Sequence, residues 1–105
     1  MFFLMQCLHH PDQDAARDTH RAAHREWVKS GGGGSASVLV GSALWSDEGT
    51  GIGNFGLLKA ESLENARAFA EGDPFAQAGV VSQITLTRLA DGFQAHRIAE
   101  RMTTD

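Results

Sequence analysis

Ser37-Val38-Leu39-Val40-Gly41-Ser42-Ala43-Leu44 and Asn54-Phe55-Gly56-Leu57-Leu58-Lys59-Ala60 are two aliphatic-rich runs separated by a polar, glycine-rich stretch from Trp45 to Gly53. Short apolar runs bounded by turn formers read as strands, and the loop between them makes them an antiparallel hairpin. Gly56, inside the second run, marks a bulge or a close backbone approach. On each side of this hairpin the chain offers one helix and then one more strand.

Upstream, Gly31-Gly32-Gly33-Gly34-Ser35 stops a helix, because glycine readily takes the left-handed conformation at a helix end. Four glycines exceed what a cap needs, so a mobile connector is the plain expectation. No Lys-Ser or Lys-Thr follows them, which excludes a phosphate-binding P-loop. From Asp12 or Asp14 to Lys29 nothing interrupts a helix, and Ala15, Ala16, Ala22 and Ala23 favour one. Pro11 suits the start of that helix, where a missing N–H costs nothing. Before it, Phe2 to Leu8 is apolar and reads as a strand with both faces buried or nearly so.

Downstream, Ser62 is a good N-cap for a helix over Leu63 to Glu71, which Gly72 ends. Asp73-Pro74-Phe75 begins a turn, since the residue before proline is pushed out of helical geometry. Val80 to Leu89 alternates as a fourth strand, and Ala90 to Asp105 forms a tail, a final element packing on a partner or a fraying end. The order β-α-β-β-α-β is the α+β, ferredoxin-like plan over residues 1–89: a four-stranded antiparallel sheet with two helices on one face. The other face would be a large bare apolar patch, so a homodimer with the sheets face to face is the economical arrangement.

Composition narrows the function classes. The chain has 105 residues, one domain's worth, with 42% hydrophobic and 21% charged residues and a net charge of −4. No basic footprint for nucleic acid is present. Cys7 stands alone, so no intrachain disulfide forms, and a reducing cytoplasm fits. The apolar start Met1 to Met5 is too short for a signal-peptide core, and no run approaches the roughly twenty apolar residues of a membrane span. A cytoplasmic protein without membrane or nucleic-acid partners is expected.

The first helix carries the chemistry. Arg17, His20, His24 and Trp27 share one face, where a plain core stripe would be apolar. That face either looks to water or borders a polar cleft. His24 has the side chain whose ordinary pKa lies near neutrality, and a carboxylate on one ring nitrogen would leave the other for a substrate. Asp73 is the candidate carboxylate. The pair is read as an acid–base site, with a purely structural contact as the alternative. Arg21, close beside His24, suits an anionic or phenolate oxygen. Arg17 could do the same, and both could instead pair with Asp14, Asp18 or Glu71 on the surface. Arg17 is assigned that structural role, and Arg21 is left open between the two. His20 and His24 have the spacing of two metal ligands on a helix, but no Glu follows His20, and no physiological metal or cofactor is expected. His9-His10 reads as a solvated strand end, Cys7 as inert core, and the Trp45 loop as a plain hairpin or a lid.

Taken together, Arg17, Arg21 and His24, then Gly41, then Glu71-Gly72-Asp73-Pro74-Phe75 and Ala78-Gly79-Val80, resemble the YCII-related (YciI-like) proteins of the dimeric α+β barrel superfamily. The resemblance covers roughly residues 1–89. It implies a sheet-to-sheet dimer and a site containing the family's His and Asp, which fall here on His24 and Asp73. Ser42, where family members often have proline after the glycine, and Phe75 beside Asp73 join Arg21 as candidate substrate contacts. One member type looks like a dehydrochlorinase of a chlorinated hydroxyhydroquinone. By this resemblance the chain is expected to be a homodimeric, cofactor-independent lyase or isomerase acting on a small, aromatic substrate. A non-catalytic ligand-binding or accessory dimer is the alternative.

Overall fold

The computed structural model describes residues 1–104. Its elements are β1 (Phe2–His9), α1 (Asp14–Gly34), β2 (Ser37–Trp45), β3 (Gly51–Lys59), α2 (Leu63–Gly72), α3 (Pro74–Gln77) and β4 (Val81–Arg88), followed by a 3-10 turn at Ala95–Arg97. The strands form one sheet in the order β2-β3-β1-β4, every neighbour antiparallel. This is the ferredoxin-like α+β arrangement. Among the described residues no helix is long and apolar enough to cross a membrane.

The period-2 pattern of β1 divides the two faces of the sheet. Phe3, Met5 and Cys7 point to the helices and are nearly fully buried, whereas Leu8 is 43% exposed. β1 is therefore buried on one face only in the single chain. The covered side joins Phe3, Met5, Val38 and Leu58 to Ala66, Phe69 and Ala70 of α2 in one core. Across the other side the register lines up Val40, Leu57, Leu4 and Thr87 in a single row.

The hairpin is longer than its sequence implies. Trp45 pairs with Gly51, which leaves only Ser46 to Thr50 as loop. Ser46 closes it, accepting at its carbonyl from the Gly49 N–H and donating its own N–H to the Thr50 carbonyl at 2.8 Å. Such short closure holds the loop at the end of the sheet.

The four glycines that end α1 are a structured turn and not a plain connector. Gly31, Gly32 and Gly33 all have left-handed backbone angles, with φ of 63°, 64° and 74°. Gly31 is buried, and its carbonyl accepts from the Ala36 N–H at 3.1 Å as the chain reverses into β2. Trp27 sits in the angle beneath: its indole N–H donates to the Phe69 carbonyl at 3.0 Å, and its ring lies so close to Gly72 that a Cβ there would fall 2.6 Å from it. Glycine at 72 thus lets α1 and α2 approach.

The tail returns to its own chain. Thr103 Oγ1 donates to the Val28 carbonyl and accepts from the Val38 N–H, both at 2.7 Å, and the Thr104 N–H reaches the Lys29 carbonyl. It therefore bridges α1 and β2. Phe93 packs edge-on against Phe2 with centroids 5.4 Å apart.

A side chain at position 31 would meet the Ala36 carbonyl and face an unfavourable φ together. Gly31→Ala is expected to destabilise the fold by about 2 kcal/mol or more, read from the urea midpoint. A loss below about 0.5 kcal/mol would show that this turn does not hold the chain reversal.

Candidate active site

A cavity of about 520 Å³ opens between α1 and the β2–β3 side of the sheet. Its origin is legible in the register. Gly41 pairs with Gly56 and Ala43 with Asn54, so three of these four floor positions beneath α1 carry little or no side chain. Gly56, first read as a bulge or close approach, is part of that floor. The polar face of α1 forms the opposite wall, and Phe69, Asp73 and Phe75 form one end.

His24 and Asp73 meet at this end. His24 Nδ1 lies 2.9 and 2.7 Å from the two carboxylate oxygens of Asp73. An ionised carboxylate only accepts, so the ring nitrogen is the donor and carries the proton. Asp73 also accepts from the Phe75 N–H at 2.8 Å, capping α3 with Pro74 at its first position. The side chain of Asp73 is only 9% exposed, so these contacts replace water around a buried charge. Phe75 lies flat against the His24 ring, with centroids 4.2 Å apart and planes 9° from parallel. With Nδ1 engaged and one ring face covered, Nε2 is the atom His24 has left for a ligand.

A second histidine belongs to the same cluster. His9 Nε2 is 2.8 Å from Asn54 Oδ1, and His9 Nδ1 is 3.0 Å from an Arg17 guanidinium nitrogen. Arginine cannot accept, so Nδ1 is the acceptor, and the proton sits on Nε2 facing Asn54. Burial above all, with Arg17 adding to it, holds the His9 pKa below the ordinary value of 6.5. Its ring also meets Phe75 edge-on at 5.8 Å, which places Phe75 between the two imidazoles. Arg17 continues to Asp14 at 2.5 Å and toward the Gly51 carbonyl, with its side chain only 11% exposed. Its pairing with Asp14 is thus one part of a wider role. His9, Asn54 and Arg17 were not among the expected site residues. The odd-numbered alternation Phe3, Met5, Cys7, His9 is the signal that aims His9 under α1.

The other expected residues divide. Arg21 and Phe75 line the cavity. Arg21 also bonds Asp18 at 2.5 Å on the solvent side. Ser42 reaches the cavity from β2, but its register partner is Phe55 on the far face, and its hydroxyl donates to the Ala43 carbonyl. Trp45, 69% exposed, and the loop after it are not lining residues, because the short closure keeps them at the sheet end. Cys7 is buried, and its thiol is pushed up to about 12 by desolvation and then by the field of Asp73, so it stays protonated at neutral pH. Among the described residues no group of three or more His, Cys, Asp or Glu side chains converges on a metal position. Met102 and Thr104 of the tail close the cavity near the C-terminal half of α1.

Protonating His9 would set a donor against the Arg17 donor. The folded state therefore binds this proton less readily than the unfolded chain, and stability falls as pH drops below the ordinary histidine range. His9→Gln is expected to lose less melting temperature than the parent between about pH 7 and pH 5. An equal or steeper loss would contradict the neutral, doubly bonded imidazole.

The YCII-related domain model matches residues 1–90. The fold superposes on 5-chloro-2-hydroxyhydroquinone dehydrochlorinase from Burkholderia phenoliruptrix, in complex with 2,5-dihydroxybenzoquinone, with a TM-score of 0.74. The two chains are 26% identical, and the match covers 88% of this chain and 96% of that one. No curated protein matches the sequence. With the family model spanning all of the sheet and both long helices, the chain belongs to the YCII-related family.

Proposed function

We propose that this protein is an enzyme in which His24, held by Asp73, moves a proton on a small planar ring compound. The observation that carries the reading is the contact of Nδ1 with both Asp73 oxygens in a ring that lines the cavity. A carboxylate in that position fixes the tautomer and stabilises the imidazolium that forms when Nε2 takes a proton. Elimination or isomerisation follows naturally. Nε2 removes a proton from a ring carbon or hydroxyl, the electron pair moves into the ring, and a leaving group such as chloride departs with its bonding electrons. The imidazolium then returns its proton to water. The dehydrochlorinase with the same fold, in complex with a dihydroxybenzoquinone, supports a ring of this size and kind. The cavity volume lies in the range of small-molecule sites.

The working unit in this reading is a cytoplasmic homodimer. Leu8 and Val40, 43% and 38% exposed, stand on the sheet face opposite the helices with Leu4, Phe55 and Leu57. A second sheet packed at about 10 Å would cover them. Light scattering is expected to give a dimer mass, and Leu8→Glu with Val40→Glu to give a folded monomer. A parent monomer at micromolar concentration would contradict this assembly.

Turnover is tested by NMR in deuterated water with chlorinated and unchlorinated hydroxyquinols. The expected result is loss of a ring substituent, or deuterium entering the ring, slowed about 10²–10⁴-fold in His24→Gln and in Asp73→Asn. Unchanged rates in folded variants would overturn the proton-transfer role.

A further inference from the structure

Arg17, Arg21, Arg25 and Lys29 recur every four residues along α1, and all of them line the cavity. Facing them inside is one carboxylate, Asp73, already occupied by His24 and the Phe75 N–H. This concentration of positive charge sits in a chain whose net charge is −4. Like charges four residues apart on a helix repel, so three successive such steps oppose helix stability unless something between them is negative. Asp14 and Asp18 relieve Arg17 and Arg21 from the solvent side, where their own side chains are 89% and 72% exposed. Arg25 and Lys29 have no side-chain partner among the described residues. The opposite wall is mostly glycine, alanine and apolar surface, with Ser42 and Asn54 as its neutral polar groups and Met102 closing its end.

A cleft with one cationic wall and one uncharged, largely apolar wall selects ligands with the same division. We infer that the cavity binds a small ring carrying a planar oxyanion, a carboxylate or the delocalised enolate of a hydroxyquinone, with its charge on Arg21 and Arg25. Guanidinium presents paired N–H donors that match such an oxyanion in plane. Arg21 lies three residues before His24 and four before Arg25, neighbours on the helix surface, and all three line the cavity, so a ring anchored on the two arginines lies within reach of His24. The cationic wall also focuses the field and draws an anion in from solution. The inference rests on the reading of this cavity as the active site and adds its substrate charge.

Benzoate and its neutral isostere benzamide separate charge from shape. In NMR titrations of the full chain, benzoate is expected to bind about tenfold more tightly than benzamide, with shifts at Gly41, Gly56 and Met102. Arg21→Ala with Arg25→Ala is expected to weaken benzoate about fivefold or more and to leave benzamide within about twofold. Arg67→Ala, the same charge change on α2 outside the cavity, is expected to leave benzoate binding unaltered. Equal affinities for the two probes, benzoate loss matched in the Arg67 variant, or no binding of either at millimolar concentration would overturn the inference. These titrations involve no turnover, so their failure is distinct from failure of the proton-transfer reading, which the rates of the His24 and Asp73 variants decide.

Discussion

Among the described residues the carboxylate of Asp73 is the one charged side chain that is buried, and three parts of the structure converge on it. Removing such a group from water is costly unless hydrogen bonds replace its hydration. Its position makes part of the cost worse. It directly follows the last residue of α2, where the helix dipole presents its negative end. The Phe75 N–H at the start of α3 and the His24 Nδ1–H from α1 offset this. The carboxylate therefore ties α1 to the α2–α3 junction, and the cavity end exists because that tie is made.

The same contacts divide the two histidines. His9 spends both ring nitrogens, one accepting from Arg17 and one donating to Asn54, which keeps it neutral and fixed. His24 spends one. Phe75 separates the rings, covering a face of His24 and meeting His9 edge-on. A rigid neutral imidazole positions the arginine, while the second imidazole keeps a nitrogen for a ligand. The room for that ligand comes from small residues, since the Gly41–Gly56 pair and Ala43 leave a gap in the sheet beneath α1 beside Asn54.

Strand and helix order was legible because period and breakers agreed: apolar runs of strand length, an uninterrupted helical stretch, and glycine, proline or the Ser62 cap at the junctions. Asp73-Pro74-Phe75 reads as a turn because proline ends the helix before it, and the structure makes of it the short helix α3. The polar face of α1 fits water or a cleft equally, and the cavity against it decides for the cleft. His9 was obscured by His10 and Pro11 beside it, which made the strand end look solvated, although counting in twos from Phe3 aims it inward. Arg17 was obscured by Asp14, three residues away, since an exposed helix pair explains both residues without any further partner. The glycine run concealed a defined left-handed turn because four glycines allow many conformations, and only the folded packing shows the Ala36 carbonyl and the Trp27 ring close against Gly31 and Gly32. The tail lacks any periodicity, and its place is decided by two hydrogen bonds of Thr103 to residues more than sixty positions earlier.

The central claim is that Asp73 holds His24 with the proton on Nδ1 and keeps Nε2 available. Long-range 15N–1H correlation NMR of the imidazole rings at neutral pH tests it most directly. The account predicts the Nδ1–H tautomer for His24 and the opposite, Nε2–H, tautomer for His9 in the same spectrum. An Nε2–H tautomer at His24 would mean that the ring is not held by Asp73 in solution, and the proposed proton transfer would lose its base.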